Sequence, residues 1–136
     1  WRPVARLADA VAVATRAGAP NGSILLDALH LFRSGGTVAD VAALPPGLIR
    51  NVQLSDAPAV APATTEAIIA EARGDRLLPG QGELPLRELL AALPPDVAFA
   101  VEAPLPPALR DDPLAHLRQV HAATSALLKA TRKTRL

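Results

Sequence analysis

Short apolar stretches alternate with helix-spaced stripes along this chain, and that alternation limits its fold more than any other feature. Val4, Leu7 and Val11 follow Pro3 at three- and four-residue spacing, and Gly18 can end that first helix. After the turn at Ala19-Pro20-Asn21-Gly22, Ser23-Ile24-Leu25-Leu26-Asp27 reads as a short buried strand. Ser34-Gly35-Gly36 reads as a loop. Thr37 with Asp40 three residues on is a capping-box pair. That helix must end near Leu44, before Pro45-Pro46-Gly47. Ile49 to Ser55 is a second strand. Residues 56–83 form a long connection with one helix over Thr65 to Arg73, and connections of this length are uncommon unless functional. Leu86, Leu89, Leu90 and Leu93 make a helical stripe between Pro85 and Pro94-Pro95. Val97 to Glu102 is a third strand. Asp112-Pro113 opens a last helix running to about Arg132, with Leu114, Leu117, Val120, Leu127 and Leu128 expected to line its packed side.

Strands alternating with helices imply a parallel sheet with helices outside it. A (β/α)8 barrel uses about 31 residues per unit, so 136 residues hold about four units. Three strands and four major helices fit the C-terminal part of a (β/α)8 TIM barrel, with residues 1–136 as one partial domain. The competing fold is a small open sheet of flavodoxin or Rossmann type. Three strands are few for such a domain, and no glycine-rich phosphate loop follows any strand. The chain lacks methionine and opens Trp1-Arg2-Pro3 straight into a helical pattern, so it is expected to be an internal part of a longer protein.

Composition removes several functions. The 14 basic and 13 acidic residues leave a net charge of +1, which gives no reason to expect a nucleic-acid or anionic-membrane partner. The cations Lys129, Arg132, Lys133 and Arg135 gather where the last helix ends, a placement that its dipole favours. Without cysteine there are no thiolate nucleophiles and no thiolate zinc sites. No apolar run is long enough to span a membrane and no secretory signal is visible, so a cytoplasmic location is expected.

Side chains alternate between the two faces of a strand. Ser23, Leu25 and Asp27 share one face of the first strand. Asn51, Gln53 and Ser55 share one face of the second, and Ala98, Ala100 and Glu102 one face of the third. The opposite faces are bulky and apolar, and are expected to pack under the helices. Asp27, Gln53 and Glu102 thus stand at the C-terminal strand ends, where barrel enzymes keep their chemistry. Three oxygen donors converging there suit a hard divalent cation such as Mg²⁺ or Mn²⁺. The same residues have a structural alternative. Asp27 can cap a turn, Gln53 can bond a loop, and Glu102 can pair with an arginine.

The segment Leu26-Asp27-Ala28-Leu29-His30-Leu31-Phe32-Arg33-Ser34-Gly35-Gly36-Thr37 resembles the Asp-x-x-His segment of the xylose-isomerase-like barrel superfamily, and most closely its sugar phosphate isomerase/epimerase members. Val52-Gln53-Leu54-Ser55-Asp56-Ala57 resembles the next strand end. Arg76-Leu77-Leu78-Pro79-Gly80-Gln81-Gly82-Glu83-Leu84-Pro85 resembles the loop before the seventh helix, and Val101-Glu102-Ala103-Pro104 the final strand end. The order and spacing of these pieces over residues 20–125 are more specific than any one of them.

This resemblance implies one divalent metal ion (Mg, Mn, Co or Zn) held at the ends of four strands, with Asp27, Gln53 and Glu102 as three ligands and a glutamate before Trp1 as the fourth. It implies a metal-dependent isomerase or epimerase acting on a sugar or cyclic polyol, with the metal polarising an oxygen while a side chain moves the neighbouring carbon-bound proton. Glu102 resembles one of the acid/base glutamates, and His30 is expected on a loop at the mouth as acid/base or substrate partner. Many members have histidine where Gln53 stands; glutamine there is similar to the 3-dehydroshikimate dehydratase branch, a lyase alternative. A non-catalytic binding half-domain is a third reading. Arg73 or Arg76 in the long connection, and Arg33, can hold an anionic substrate. Asp56 is expected to orient a ligand from behind. His116 and His121 are expected on the surface, far from the strand ends. Two unpaired sheet edges would leave the piece prone to self-association, and alone it is expected to be inactive because one metal ligand and half the pocket are missing.

Overall fold

The computed structural model describes residues 4–104, 106–107 and 110–134, with side chains described as far as residue 131. Trp1, Arg2 and Pro3, Arg135, and the side chains of Arg132 and Lys133 lie outside that description. Nine elements follow one another: α1 (Leu7–Ala17), β1 (Ile24–Asp27), α2 (Ala28–Arg33), α3 (Val38–Ala42), β2 (Ile49–Leu54), α4 (Thr65–Arg73), α5 (Leu86–Ala92), β3 (Ala98–Val101) and α6 (Pro113–Thr134).

The three strands form one parallel sheet in the order β1-β2-β3. Asp27 sits beside Gln53, and Gln53 beside Ala100. The apolar row Ile24, Leu26, Val52 and Leu54 is buried under the helices together with Leu29, Leu86, Leu89, Leu90 and Leu127. Leu25 and Asn51, on the other face, are exposed. That asymmetry is the one the strand alternation requires. Phe99 departs from it. It pairs with the buried Val52 but is 38% exposed; among the described residues β3 has a strand neighbour, β2, on one side.

The local signals act as their chemistry dictates. Gly18 ends α1 with φ +59°, a left-handed conformation that glycine adopts at little cost. Thr37 and Asp40 form a complete capping box on α3. The Thr37 hydroxyl donates to Asp40 Oδ2 at 2.7 Å and the Thr37 N–H donates to it at 2.8 Å. These bonds, the hydroxyl's first, hold the Asp40 carboxyl below its ordinary 3.8. A carboxyl lowered by folding stabilises the fold above its unfolded value and stops doing so as pH falls through its folded value. An NMR titration should therefore place the Asp40 midpoint below 3.8, with the first turn of α3 loosening only at more acid pH.

Two expectations fail. His30 lies on a short helix, α2, rather than on a loop. Asp27 caps it by accepting the His30 N–H at 3.1 Å, and Ala28, Leu29 and Leu31 are buried. On α6, Leu114 and Leu117 are 53% and 61% exposed. The buried side of α6 instead runs through His116, Leu127 and Thr131, with Val120 half-buried between them. This stripe also has helical spacing, and two of its members are polar. Thr131 satisfies its hydroxyl by donating to the Leu127 carbonyl at 3.0 Å.

Candidate active site at the strand ends

The C-terminal end of β1 places Asp27 in a nearly closed position, 9% exposed. The connection from β2 to α5 then brings a cation to it. Asp56 and Leu77 close the neck of that connection by exchanging two backbone hydrogen bonds, each 2.8 Å. Arg76, the residue before the bridge, consequently turns inward. Its Nε donates to the Ala72 carbonyl at 2.8 Å, and its Nη1 donates to Asp27 Oδ2 at 2.8 Å and to Ser55 Oγ at 3.3 Å. Its Nη2 lies 3.5 Å from Glu102 Oε1. The Arg76 side chain is only 3% exposed, so these contacts operate where water screens little.

Asp27, Gln53 and His30 line an open cavity of about 730 Å³, with Leu25 beneath them and Leu7 and Ile68 among its walls. The His30 imidazole is half exposed, and its Nε2 is 3.9 Å from Asp27 Oδ2. The structure thus gathers Asp27, Gln53, His30, Arg76 and Glu102 at one end of the sheet. Among the described residues, no three His, Cys, Asp or Glu side chains come together as ligands for a metal ion. The two carboxylates meet on a guanidinium instead. Their donor types, two carboxylates and one amide oxygen on adjacent strand ends, are those that a hard cation takes; in this arrangement the positive charge beside the acidic pair is that of Arg76.

The other expected residues fall differently. Arg73 is exposed on the last turn of α4, whereas Arg76 is inward. Arg33 also lines the cavity, with its guanidinium taken up by protein partners. Its Nε and Nη2 donate to the two Glu71 oxygens at 2.8 and 2.7 Å, and its Nη2 also donates to the Pro58 carbonyl at 2.8 Å. The bonds to Glu71 raise the Arg33 pKa above its usual value, so the guanidinium stays charged. Asp56 is also differently engaged. Its Oδ1 accepts from the Ala57 and Leu84 N–H groups and its Oδ2 from that of Gly80, so it shapes the 80–84 loop rather than orienting Gln53. Gly82 lies so close that an added Cβ would stand 2.5 Å from both Asp56 Oδ1 and the Ala57 carbonyl.

His121 is exposed as expected, but His116 is not on the surface. It is 7% exposed, and its Nε2 lies 3.1 Å from the carbonyl oxygen of Ala103, next to Glu102. A helix that follows β3 starts at the C-terminal end of the sheet, so its first turn is near the strand ends rather than far from them. Sequence reading missed Glu71 and Ser55. Glu71 is one of three charged residues of α4, with Glu66 and Arg73, and nothing in its local sequence marked it out.

No protein-family profile and no curated protein matches this sequence. Solved structures do. A xylose isomerase domain protein from Alicyclobacillus acidocaldarius is 26% identical over 93% of this chain and 44% of its own, with TM-score 0.68. A xylose isomerase-like TIM barrel/4-hydroxyphenylpyruvate dioxygenase fusion protein is 25% identical over 75% of this chain and 16% of its own, with TM-score 0.64. The IolI protein, solved with a bound zinc atom, shares the fold at 19% identity and TM-score 0.73, over 94% of this chain and 45% of its own. The chain therefore spans less than half the length of each. Among the described residues, no helix is long and apolar enough to cross a membrane.

Proposed function

We propose that this chain, part of a xylose-isomerase-like TIM barrel, belongs to an enzyme that isomerises or epimerises a sugar or related polyol with the help of one divalent metal ion. The supporting observation is the placement of Asp27, Gln53 and Glu102 on one face at the ends of three adjacent parallel strands. These three residues would hold the metal, whose contribution when bound is to polarise a substrate oxygen and so acidify the neighbouring C–H. Glu102 carries the proton in this reading, because its side chain is 43% exposed and thus reachable. His30 bonds a substrate hydroxyl at the cavity mouth. Arg76 bridges Asp27 and Glu102 and fixes their relative placement. The IolI neighbour's zinc supports a metal in the fold and leaves its identity here open to Mg, Mn, Co or Zn.

Gln53 favours a second reading. Glutamine at this strand end, where many members have histidine, is similar to the 3-dehydroshikimate dehydratase branch, which expels water from a cyclic hydroxy-ketone. Calorimetry with Mn²⁺ tests both. About one ion bound per full-length protein, which is expected to supply the fourth ligand, is the expected result, and a full-length protein that takes up no divalent ion overturns both readings. Turnover of a ketose series against a cyclic hydroxy-ketone then separates them.

A further inference from the structure

Helix α4 is held in an unusual way. Of its nine residues only one is buried, and that one is Glu71. Ile68 and Ile69 are half-buried, so the helix has little apolar anchorage. Its docking depends on the bidentate pair with Arg33, both side chains being 8% exposed. A buried ion pair is weak evidence for stability, because desolvation offsets most of the attraction. What a fork-to-carboxylate pair does supply is geometry.

That geometry bears on the site. Glu71 is followed by Ala72, whose carbonyl accepts Arg76 Nε; Arg76 then reaches Asp27; and Asp27 caps α2, the helix that ends in Arg33. The contacts form a closed circuit. One end of α2 is fixed to Arg76 and the other to Glu71, the residue immediately before the Ala72–Arg76 turn. The bond from Arg33 Nη2 to the Pro58 carbonyl ties the start of the same connection.

We infer that Arg33 and Glu71 are positioning residues that fix the last turn of α4 and thereby aim Arg76 at Asp27. This rests on the reading of Asp27 as a site residue. The consequence is specific. Loss of the pair should free Arg76 before it unfolds the protein.

The test uses intact protein labelled with ¹⁵N-arginine, with and without Glu71→Gln. Exchange of the Arg76 Nε–H with solvent is followed by NMR, alongside urea unfolding and Mn²⁺ binding. Loss of one charge-assisted bond is expected to speed that exchange about tenfold, with a smaller shift in the unfolding midpoint. Arg33→Lys keeps the charge but not the fork, so it should give an intermediate effect, and it serves as the readout if Glu71→Gln does not fold. An unchanged Arg76 Nε–H in either folded variant overturns the inference. So does acceleration that only matches the loss of global stability. Mn²⁺ binding reports separately. If wild-type protein binds no Mn²⁺ while the Arg76 signal still responds to Glu71→Gln, the proposed function fails and the positioning role stands.

Discussion

Arg76→Ala is expected to destabilise the fold by about 3–5 kcal/mol, the range for removing one partner from a buried ion pair. The Asp27 carboxylate would remain 8% exposed in its side chain with its guanidinium gone, while Oδ1 kept only the His30 N–H. Ser55 Oγ, fully buried, would lose its donor as well. Urea unfolding of wild type and variant measures the difference. A loss below about 1 kcal/mol, as for an exposed pair, would show that Arg76 is not confined as described. Arg76→Ala combined with Asp27→Asn should recover part of the loss, since the uncompensated charge is then absent. Arg76→Lys should fall between the extremes, because a single ammonium cannot serve Ala72, Asp27 and Glu102 at once.

Asp56→Ala is expected to be nearly as damaging, by a different route. Asp56 is 1% exposed, and its two oxygens serve three backbone N–H groups, at 2.9 Å (Ala57), 2.9 Å (Gly80) and 3.0 Å (Leu84). Each N–H left without a partner costs about 1–3 kcal/mol if water does not reach it. A total of about 3 kcal/mol or more should appear in urea unfolding. Because the loss is concentrated in one loop, limited proteolysis should cut near residues 78–84 in the variant and not in wild type. Asp56→Asn should recover part of the loss, because with its oxygen in the Oδ1 position it keeps the Ala57 and Leu84 bonds and forfeits only that from Gly80. The new amide nitrogen would face that N–H, which needs an acceptor.

The contrast between these two aspartates shows what was legible in the sequence. Strand parity identified the face on which Asp27, Gln53 and Glu102 stand, because a period of two depends only on local geometry. Thr65–Arg73 and the Thr37–Asp40 cap were legible for the same reason. Helix α2 was not, since Leu29, Leu31 and Phe32 follow a strand with no break in apolar character, and only the cap at Asp27 marks the change. Which arginine turns inward was beyond local reading. Arg73 and Arg76 differ only in their distance from Leu77, and the bridge to Asp56 decides between them. Leu114 and Leu117 drew the packed face of α6 the wrong way, because a stripe through His116 and Thr131 has equal periodicity and weaker hydrophobicity. The structural alternative for the strand-end residues is visible in the bonds themselves, for Asp27 does cap a helix and Glu102 does meet an arginine.

The bridge between Asp56 and Leu77 has an evolutionary consequence. Residues 57–76 leave and return through a neck that is hydrogen-bonded on its own account. The entropy of closing a longer connection grows only slowly with its length. A different segment can therefore be grafted between those two positions while β2 and α5 keep their places. The segment so exchanged carries Glu71 and Arg76, and with them the charge that faces Asp27. The neck makes the charge beside Asp27 separable from the strands, because it arrives on one segment whose two ends are already joined.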